Sequence, residues 1–286
     1  MRNKKKRKRI LFDIARIFVL LVALSVLLYP TISNYLYEKN SSRAVNNYDD
    51  TLKKMEEKER LALLEEAREY NAGLVSGGGA TGDTFQTKEE TTPEYDSLLS
   101  MDASGMMGYI TIPKIDVELP IYHTTSEAVL QRGIGHFPSS SLPVGGESCH
   151  AVLTGHRGLP SKKLFTDLDK ITEGDVFYIH ILQETLAYQV DQILTVLPEE
   201  TDALQIEEGK DYVTLVTCTP YAVNTHRLLI RGHGIPYTEA EEIAPPEIDT
   251  GIKIPFEVQM LLIGLGILLL IIIIWTITRK GRRKKE

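Results

Sequence analysis

Two apolar segments, one near each end of the chain, most constrain what this sequence can fold into. From Ile17 to Tyr29 the sequence runs IFVLLVALSVLLY, and from Val258 to Thr278 it runs VQMLLIGLGILLLIIIIWTIT. A helix needs about 20 mainly apolar residues to cross a bilayer. The second segment has that length, and the first reaches it with its flanking residues. We therefore predict an N-terminal membrane anchor over 17–37 and a C-terminal transmembrane helix over 255–278.

Basic tails flank both apolar segments on their outer sides. Residues 1–16 carry eight Lys and Arg and one acidic residue, and residues 279–286 carry six and one. Basic residues beside a span tend to stay in the cytoplasm, so both tails are predicted to be cytoplasmic and the region between them extracellular. That region holds 18 basic and 37 acidic residues. Nucleic-acid binding is the alternative reading of the basic runs, but their position beside the spans favours topology, and no nucleic-acid partner is predicted.

The first apolar segment has a second interpretation, a cleaved signal peptide. Such peptides end in a small-residue cleavage site of the A-x-A kind. No site of that kind follows the segment. We therefore favour an anchor that is retained.

Two segments of different texture follow the anchor. Residues 38–73 are rich in Glu, Lys, Leu and Ala, and their apolar side chains recur at about helical spacing, which predicts an amphipathic juxtamembrane helix. Residues 74–95 contain three consecutive glycines and scattered threonines, which predict a mobile loop. The apolar positions of the predicted helix are Leu52, Met55, Leu63, Ala67 and Tyr70.

The segment 96–237 is predicted to be mainly β. Its short runs are rich in Val, Ile, Tyr and Thr and are separated by turn signals, which favours an all-β barrel or sandwich with few helices. SKKLFTDLDKI is the best candidate for a short helix, and the acidic, Pro-containing stretch 238–254 is predicted to be a linker. The strand-like runs are GYITIPKIDVELPIYH, CHAVLTGH, DVFYIHI, LAYQVDQILTVLP, DYVTLVTC and RLLIRGHGI.

The chain has two cysteines, Cys149 and Cys218, both in the region predicted to be extracellular. So few cysteines exclude a disulfide scaffold. A single disulfide between the two stays open as an alternative. No close Cys and His pair has the spacing of zinc ligands, so no metal or other cofactor is predicted.

Three local sequences carry residue types suited to acyl transfer. The strand DYVTLVT leads into Cys218, and the Thr219-Pro220 that follows cannot continue a central ladder. Arg227 begins the next strand-like run, HRLLIRG, so it would lie beside Cys218 if the two strands are neighbours. His156 lies in a Gly-flanked turn after HAVLT. A cysteine nucleophile benefits from a nearby cation, and acyl transfer needs a proton donor for the leaving amine.

Other residues of the same types are assigned structural places. Arg157 is predicted to lie at the rim, and Cys149 is predicted to pack as a small apolar side chain. His226 and Arg231 lie close to Arg227 but are not selected. Five further histidines show no partner pattern and are predicted to be structural: His123, His136, His150, His180 and His233.

Taken together, TLVTC, LTGHRG and THRLLIRG resemble sequences of the sortase family. The resemblance runs from about Gly108 through Gly234 and is closest to class C, the pilus-assembling sortases of Gram-positive bacteria. It implies a sortase-type closed β-barrel with short helices. The segments closest to that class are ITIPKIDVELPIYH, GIGHFPSSSLPVGG, TGHRGLPSKKLFTDLDKITEGD and TCTPYAVNTHRLLIRG.

The resemblance implies a cysteine transpeptidase whose catalytic residues are Cys218, His156 and Arg227. Cys218 would attack the Thr-Gly carbonyl of an LPXTG-like sorting signal and form a thioester. His156 would protonate the leaving amine and then help to deprotonate the incoming amine. Arg227 would hold the substrate carbonyl or the oxyanion. The implied partners are pilins or surface proteins with such a signal, and in the pilus class the acceptor is a pilin lysine.

Class C sortases also carry a lid over the cleft, with an Asp-Pro-aromatic anchor. The loop 74–95 offers Asp83-Thr84-Phe85, which keeps the acid and the ring but lacks the proline. By resemblance, Asp83 would pair with Arg227 and Phe85 would cover Cys218, on an anchor made more flexible by the missing proline. The alternative is a linker in which both residues are incidental.

Three other functions compete with pilus assembly. The first is a sortase that attaches surface proteins to cell-wall peptide, with the same chemistry and a different amine. The second is a hydrolytic cysteine protease, for which water is the acceptor. The third is a non-enzymatic membrane-tethered scaffold, whose function would survive replacement of Cys218 by Ala.

Overall fold

A computed structural model describes residues 2–74, 82–85, 91–101, 104–245, 262 and 264–266 of the chain. The chain divides into two compact units, Met1–Ile248 and Asp249–Glu286. In the second unit only Leu262 and residues 264–266 are described, and they are helical. Most of the predicted C-terminal span 255–278, most of the linker 238–254 and the basic tail 279–286 lie outside the described residues.

Two helices form the N-terminal part of the first unit. Helix α1 spans Arg2–Lys54 and helix α2 spans Glu57–Leu74. The predicted boundary between anchor and juxtamembrane helix, at residues 37 and 38, therefore lies inside one continuous helix, because no helix-breaking residue follows Pro30 in it. The chain turns at Met55 instead. There Arg60 Nη1 donates to the carbonyl oxygen of Met55 at 2.8 Å, which satisfies an orphan acceptor at the helix end.

Helix α1 is also long and apolar enough to cross a membrane, over Ala15–Lys54. Its apolar side chains in the first part face outward, as Leu27 does with 63% of its surface exposed. Exposure of this kind along about 20 residues is what a lipid-facing helix requires. It is the one candidate span among the described residues.

The later part of α1 and all of α2 pack against the domain that follows. Leu52 and Ala67 are buried in its core, and Met55, Leu63 and Tyr70 pack at the edge of that core, so the predicted amphipathic face is confirmed. Tyr48 donates from its hydroxyl to the carbonyl oxygen of Met107 at 2.7 Å. Near the end of α2, Asn71 bonds both the N–H (2.7 Å) and the carbonyl (3.0 Å) of Leu142. These contacts hold the helix pair against the domain.

The segment predicted as a mobile loop, 74–95, falls largely outside the described residues. Residues 82–85 are described, and helix α3 (Pro93–Ser97) follows. Thr92 caps α3 by accepting a hydrogen bond from the N–H of Tyr95 at 3.2 Å. The chain therefore becomes regular before residue 96, where the β domain was predicted to begin.

Eight strands close into a barrel in the order β1-β2-β3-β4-β7-β8-β6-β5. The predicted closed barrel is confirmed, and a sandwich is excluded. Neighbouring strands are antiparallel, except that β2 and β3 run parallel, as do β4 and β7. The strands are β1 (Met106–Ile112), β2 (Val117–His123), β3 (Ile134–His136), β4 (Cys149–Thr154), β5 (Val176–Ile181), β6 (Glu184–Val196), β7 (Asp211–Thr219) and β8 (His226–Ile235).

Two short helices complete the domain, α4 (Glu127–Leu130) and α5 (Tyr237–Ile243). The helix predicted at SKKLFTDLDKI is wrong, since only a 3-10 turn at Leu168–Lys170 forms there. Leu164 has a left-handed backbone conformation, with φ of 41°, which a right-handed helix cannot contain. Its side chain and that of Phe165 are instead buried in the core.

Side chains alternate across the barrel wall, and two of the three apolar clusters of the described residues lie on its opposite sides near the strands β7 and β8. The larger cluster fills the interior, with Leu215 and Ile230 among its members. Their strand neighbours Val216 and Leu229 point the other way and join Phe137, Val152 and Leu204 in an outer cluster. The outer cluster gives one face of the barrel, across β4, β7 and β8, an apolar floor.

His136 is a fully buried histidine that the fold keeps neutral. Its Nδ1 faces the hydroxyl of Tyr95 at 2.9 Å and its Nε2 faces the carbonyl oxygen of Ser141 at 2.8 Å. The tautomer with a proton on Nε2 satisfies both contacts, since the hydroxyl then donates to Nδ1. Burial disfavours the charged form and lowers the pKa of His136 from 6.5 to about 4.

Acidification from pH 8 to pH 5 is expected to destabilise the barrel by about 2 kcal/mol through His136 alone. Between 6.5 and about 4 the unfolded chain binds the proton more readily. Stability is therefore complete above pH 6.5 and is lost as pH falls towards 4. We expect the melting temperature, followed by circular dichroism in detergent micelles, to fall by about 5 °C through this one group.

The variant His136→Asn should show a weaker pH dependence of melting than the wild type. His233→Asn, which removes a solvent-exposed imidazole, controls for the loss of a histidine as such. An unchanged pH dependence in His136→Asn would contradict the assignment.

Candidate active site

Cys218 and Arg227 face each other across the ladder between β7 and β8. The two antiparallel strands pair Cys218 directly with Arg227, next to the connection between them. The two strands are neighbours, which is the condition under which the sequence placed Arg227 beside Cys218. Cys218 is half-buried and its thiol is free, as is that of Cys149.

His156 reaches the same end of the barrel by a parallel pairing. Thr154 of β4 pairs with Val216 of β7, and His156 and Cys218 each lie two residues further along. Two hydrogen bonds hold the strand ends together beyond that pair. The N–H of Gly155 donates to the carbonyl of Val216 at 3.0 Å, and the Thr217 hydroxyl donates to the carbonyl of Gly155 at 2.7 Å. The three residues selected from the sequence are thus brought together.

Gly155 is required for this approach. A Cβ atom at this position would lie 2.7 Å from side-chain atoms of both Ile134 and Phe165. Real Cβ atoms do not come so close to a packed core, so any larger residue would displace the turn. Gly155 therefore fixes the backbone position from which the side chain of His156 extends.

Arg227 is held by a bidentate ion pair with Asp83. Nε lies 2.9 Å from Oδ1 and Nη2 lies 2.6 Å from Oδ2, and the two side chains are only 8% and 11% exposed. Nη1 donates to the carbonyl oxygens of Asn224 (3.3 Å) and His226 (3.1 Å). The guanidinium is therefore oriented by the β7–β8 connection on one side and occupied by Asp83 on the other.

Phe85 lies against His156 and Arg227. Its ring centroid is 5.7 Å from that of His156, and the guanidinium carbon of Arg227 is 5.0 Å from the ring centroid. The ring also packs on the outer apolar cluster. The N–H of Phe85 donates to Asp83 Oδ1 at 3.2 Å, a local turn of the kind that aspartate forms without any need for proline.

Three causes act on the ionisation of Cys218. Burial raises the pKa of its thiol, the positive charge of Arg227 lowers it, and the negative charge of Asp83 raises it, with a net upward shift. The thiolate is the nucleophilic form of cysteine. Asp83 therefore opposes nucleophilicity in two ways, by occupying the guanidinium and by its own charge.

The match to known proteins is strongest over the barrel. Residues 110–235 match the family model of the sortase domain. The crystal structure of sortase C1 from Streptococcus agalactiae is 52% identical, with a TM-score of 0.63, over 68% of this chain and 98% of that one. This chain belongs to the sortase family.

A second solved structure agrees on the class. A sortase C structure from Streptococcus pneumoniae is 45% identical over 68% of this chain and 97% of that one, with a TM-score of 0.64. The sortase A of Staphylococcus aureus is 25% identical over 77% of this chain and 92% of its own length. The structural neighbours place this sortase in class C. It is therefore a cysteine transpeptidase, which excludes the non-enzymatic scaffold.

Glu127 contacts His156, and sequence reasoning did not find it. Its Oε2 lies 3.3 Å from His156 Nε2. The hydrogen bond from Gln131 lowers the pKa of Glu127 most, burial raises it to a smaller degree, and His156 and then Lys162 lower it further, so Glu127 is a carboxylate at neutral pH. A glutamate at the start of a short helix carries no signal in the sequence that would single it out.

The side chain of Arg157 is less exposed than expected for a residue at the rim, where it was predicted to lie. Its side chain is 8% exposed and forms an ion pair with Asp169, and its Nη1 donates to the Thr219 hydroxyl at 3.3 Å. Arg157 follows His156 in sequence and Thr219 follows Cys218, so this contact connects the two segments that carry them. The "HR" pair in TGHRG is the only sequence signal that could have pointed to it.

The remaining residues of these types lie away from the site. Both cysteines are free, so the disulfide alternative is wrong, and Cys149 is buried as predicted. Arg231 pairs bidentately with Asp191, at 3.0 Å for each contact. Within residues 2–74, 82–85, 91–101 and 104–245, no three His, Cys, Asp or Glu side chains form a group that could hold a metal. The buried or partly buried histidines bond to nearby polar groups: His123, His136, His150 and His180.

Proposed function

We propose that this sortase polymerises pilin subunits, by cleaving an LPXTG-like sorting signal between Thr and Gly and joining the acyl group to a pilin lysine. The observation that carries the proposal is the meeting of three strand ends at one edge of the outer apolar face. The ladder sets Arg227 opposite Cys218, and the parallel pairing of β4 and β7 brings His156 to the same end. Cationic and proton-transferring groups beside a thiol are what thioester chemistry requires.

Each residue then has one role. The Cys218 thiolate attacks the Thr carbonyl carbon, and the C–N bond to Gly breaks as His156 gives a proton to the leaving amine. Arg227 donates to the oxyanion that forms in between. In the second half, an acceptor amine attacks the thioester and Cys218 leaves as thiolate. The outer apolar cluster, in which Val216 and Leu229 are buried and against which Phe85 packs, would offer a floor for the apolar residues of a sorting signal once Phe85 moves away.

We further propose that Asp83 and Phe85 act as a lid. Asp83 occupies the guanidinium that the substrate carbonyl needs, and Phe85 packs over His156 and Arg227. Substrate cannot reach both groups until this segment moves. The similarity of the chain to solved class C sortases supports the pilus function over cell-wall attachment.

The membrane arrangement belongs to the same proposal. α1 anchors the chain, the segment 255–278 forms a second span outside the described residues, and the barrel lies on the extracellular face with both termini in the cytoplasm. The contacts of α1 with β1 and β2 support a barrel held close to the membrane. For example, the Ser41 hydroxyl donates to the carbonyl of Glu118 at 3.3 Å. A barrel held there would place the site within reach of substrates that are themselves tethered to the membrane.

The test is polymerisation by the full-length chain in detergent micelles. Incubated with a pilin that carries a sorting signal and an acceptor lysine, the protein should yield a ladder of covalent oligomers on denaturing gels. Cys218→Ala should yield none. Conjugates with wall peptide and no ladder would indicate the anchoring sortase, and free cleaved pilin alone would indicate a hydrolase.

A further inference from the structure

A line of polar contacts ends on the imidazole of His156. Lys162 Nζ donates to Gln131 Oε1 at 2.9 Å, Gln131 Nε2 donates to Glu127 Oε1 at 2.7 Å, and Glu127 Oε2 lies 3.3 Å from His156 Nε2. One carboxylate oxygen is thus fixed by an amide, and the other faces the imidazole. The carboxylate has a defined position although it lies on a short surface helix.

Glu127 also differs from the other site residues in exposure. Its side chain is 70% exposed, whereas that of His156 is 18% exposed. The same carboxylate therefore meets solvent on one side and the proton-transferring group on the other. Among the described residues its contact partners are Gln131 and His156, and Lys162 bonds to Gln131 rather than to the carboxylate.

From this arrangement we infer that Glu127 receives the ammonium group of the acceptor lysine. The inference rests on the proposed function, in which the acceptor is a lysine. A lysine side chain arrives at neutral pH as a cation and must lose a proton before it can attack. The Glu127 carboxylate, which contacts the imidazole, attracts the cation and holds it where the imidazole can take that proton.

The transfer step balances as follows. The ammonium held by Glu127 gives one proton to the neutral imidazole of His156 and becomes an amine. Its nitrogen lone pair forms a C–N bond to the thioester carbonyl carbon, the C–S bond breaks, and Cys218 leaves as thiolate. The nitrogen loses its second proton to solvent as the amide forms. Glu127 itself forms no bond to the acyl group and is unchanged at the end.

The ratio of transfer to hydrolysis isolates this role. Both reactions start from the same thioester, so their ratio does not depend on how fast the thioester forms. We compare the full-length chain with Glu127→Gln, both carrying Asp83→Ala so that access to Cys218 is equal. The donor is a sorting-signal peptide, and the acceptors are Nα-acetyl-lysine amide and hydroxylamine, an amine that is uncharged at neutral pH. Mass spectrometry quantifies the products.

Glu127→Gln should lower the transfer-to-hydrolysis ratio for the lysine acceptor about fivefold, as expected for loss of one partly exposed ion pair. The ratio for hydroxylamine should not change. Glu127→Asp should fall between the wild type and Glu127→Gln. Glu239→Gln, which removes an exposed carboxylate on α5, is the matched control and should match the wild type.

Two outcomes would overturn the inference while leaving the proposed lysine transfer intact. Equal ratios in Glu127→Gln and the wild type, with or without lower rates, would show that Glu127 only positions His156. Equal falls for lysine and hydroxylamine would show that it does not act through the charge of the acceptor. Formation of hydroxamate but no lysine product by the wild type would instead overturn the proposed lysine transfer, and this inference with it.

Discussion

Replacing Arg227 with lysine is expected to lower the rate of sorting-signal cleavage by about a hundredfold, the usual effect of removing one oxyanion donor. Lysine keeps the positive charge but loses the planar fork of donors. The guanidinium of Arg227 donates hydrogen bonds in two directions. Nη1 donates to the carbonyls of Asn224 and His226, whereas Nε and Nη2 face the site and donate to Asp83. A single ammonium cannot be anchored on the connection and also present two donors to an oxyanion.

The measurement is kcat/KM for a fluorogenic sorting peptide, with the full-length chain in detergent micelles. Because Arg227→Lys also weakens the contact with Asp83, both proteins should carry Asp83→Ala. The matched control is Arg231→Lys, four residues along the same strand, where the guanidinium is paired with Asp191. The two substitutions change the same atoms on the same face, so equal losses would contradict a special role for Arg227.

The β-rich character of the domain, and the nearness of Arg227 to Cys218 if β7 and β8 are neighbours, could be predicted because their signals are local. Alternating apolar residues define each strand, and the short connection TPYAVNTH forces β7 and β8 to be neighbours. Strand β3 was not predicted, because three residues are too few to show a recognisable alternation of apolar and polar side chains. The closed order of eight strands needs pairings between distant segments, such as β1 with β5, that no local pattern encodes.

Other features depended on contacts between distant residues. Glu127 meets His156 across 29 positions of chain, and Asp83 meets Arg227 across 144. The first was missed and the second was suggested only by family resemblance, because an isolated carboxylate looks the same in a loop as in a site. The predicted boundary between anchor and juxtamembrane helix falls inside the continuous helix α1. The sequence shows where the apolar composition of a membrane span ends, but not where the helix itself ends.

Asp83→Ala is expected to raise the rate of Cys218 alkylation by iodoacetamide about a hundredfold. Two buried charge-assisted hydrogen bonds join Asp83 to Arg227, and in the proposed lid they would stabilise the closed position by about 3 kcal/mol after the desolvation of both groups is subtracted. Loss of that free energy shifts the lid towards open states by about two orders of magnitude. Peptide mapping by mass spectrometry separates Cys218 from the buried Cys149.

The control for this substitution is Asp96→Ala, which removes an exposed carboxylate of α3. Asp96 accepts a hydrogen bond from Thr91 at 3.0 Å and takes no part in the ion pair between Asp83 and Arg227. It should leave the alkylation rate unchanged. The same rate in Asp83→Ala and the wild type would show that Asp83 does not restrict access to the thiol.

A pH profile separates the two effects of Asp83 on Cys218. The carboxylate raises the pKa of the thiol and, in the proposed lid, also limits access to it, so Asp83→Ala should increase access and shift the alkylation midpoint to lower pH. Phe85→Ala removes the ring that packs on His156 and Arg227 but keeps the carboxylate. The alkylation rate of Phe85→Ala should rise at every pH, and its alkylation midpoint should lie nearer that of the wild type. Identical profiles for the two variants would mean that steric cover alone limits Cys218, because charge is what distinguishes the aspartate from the ring.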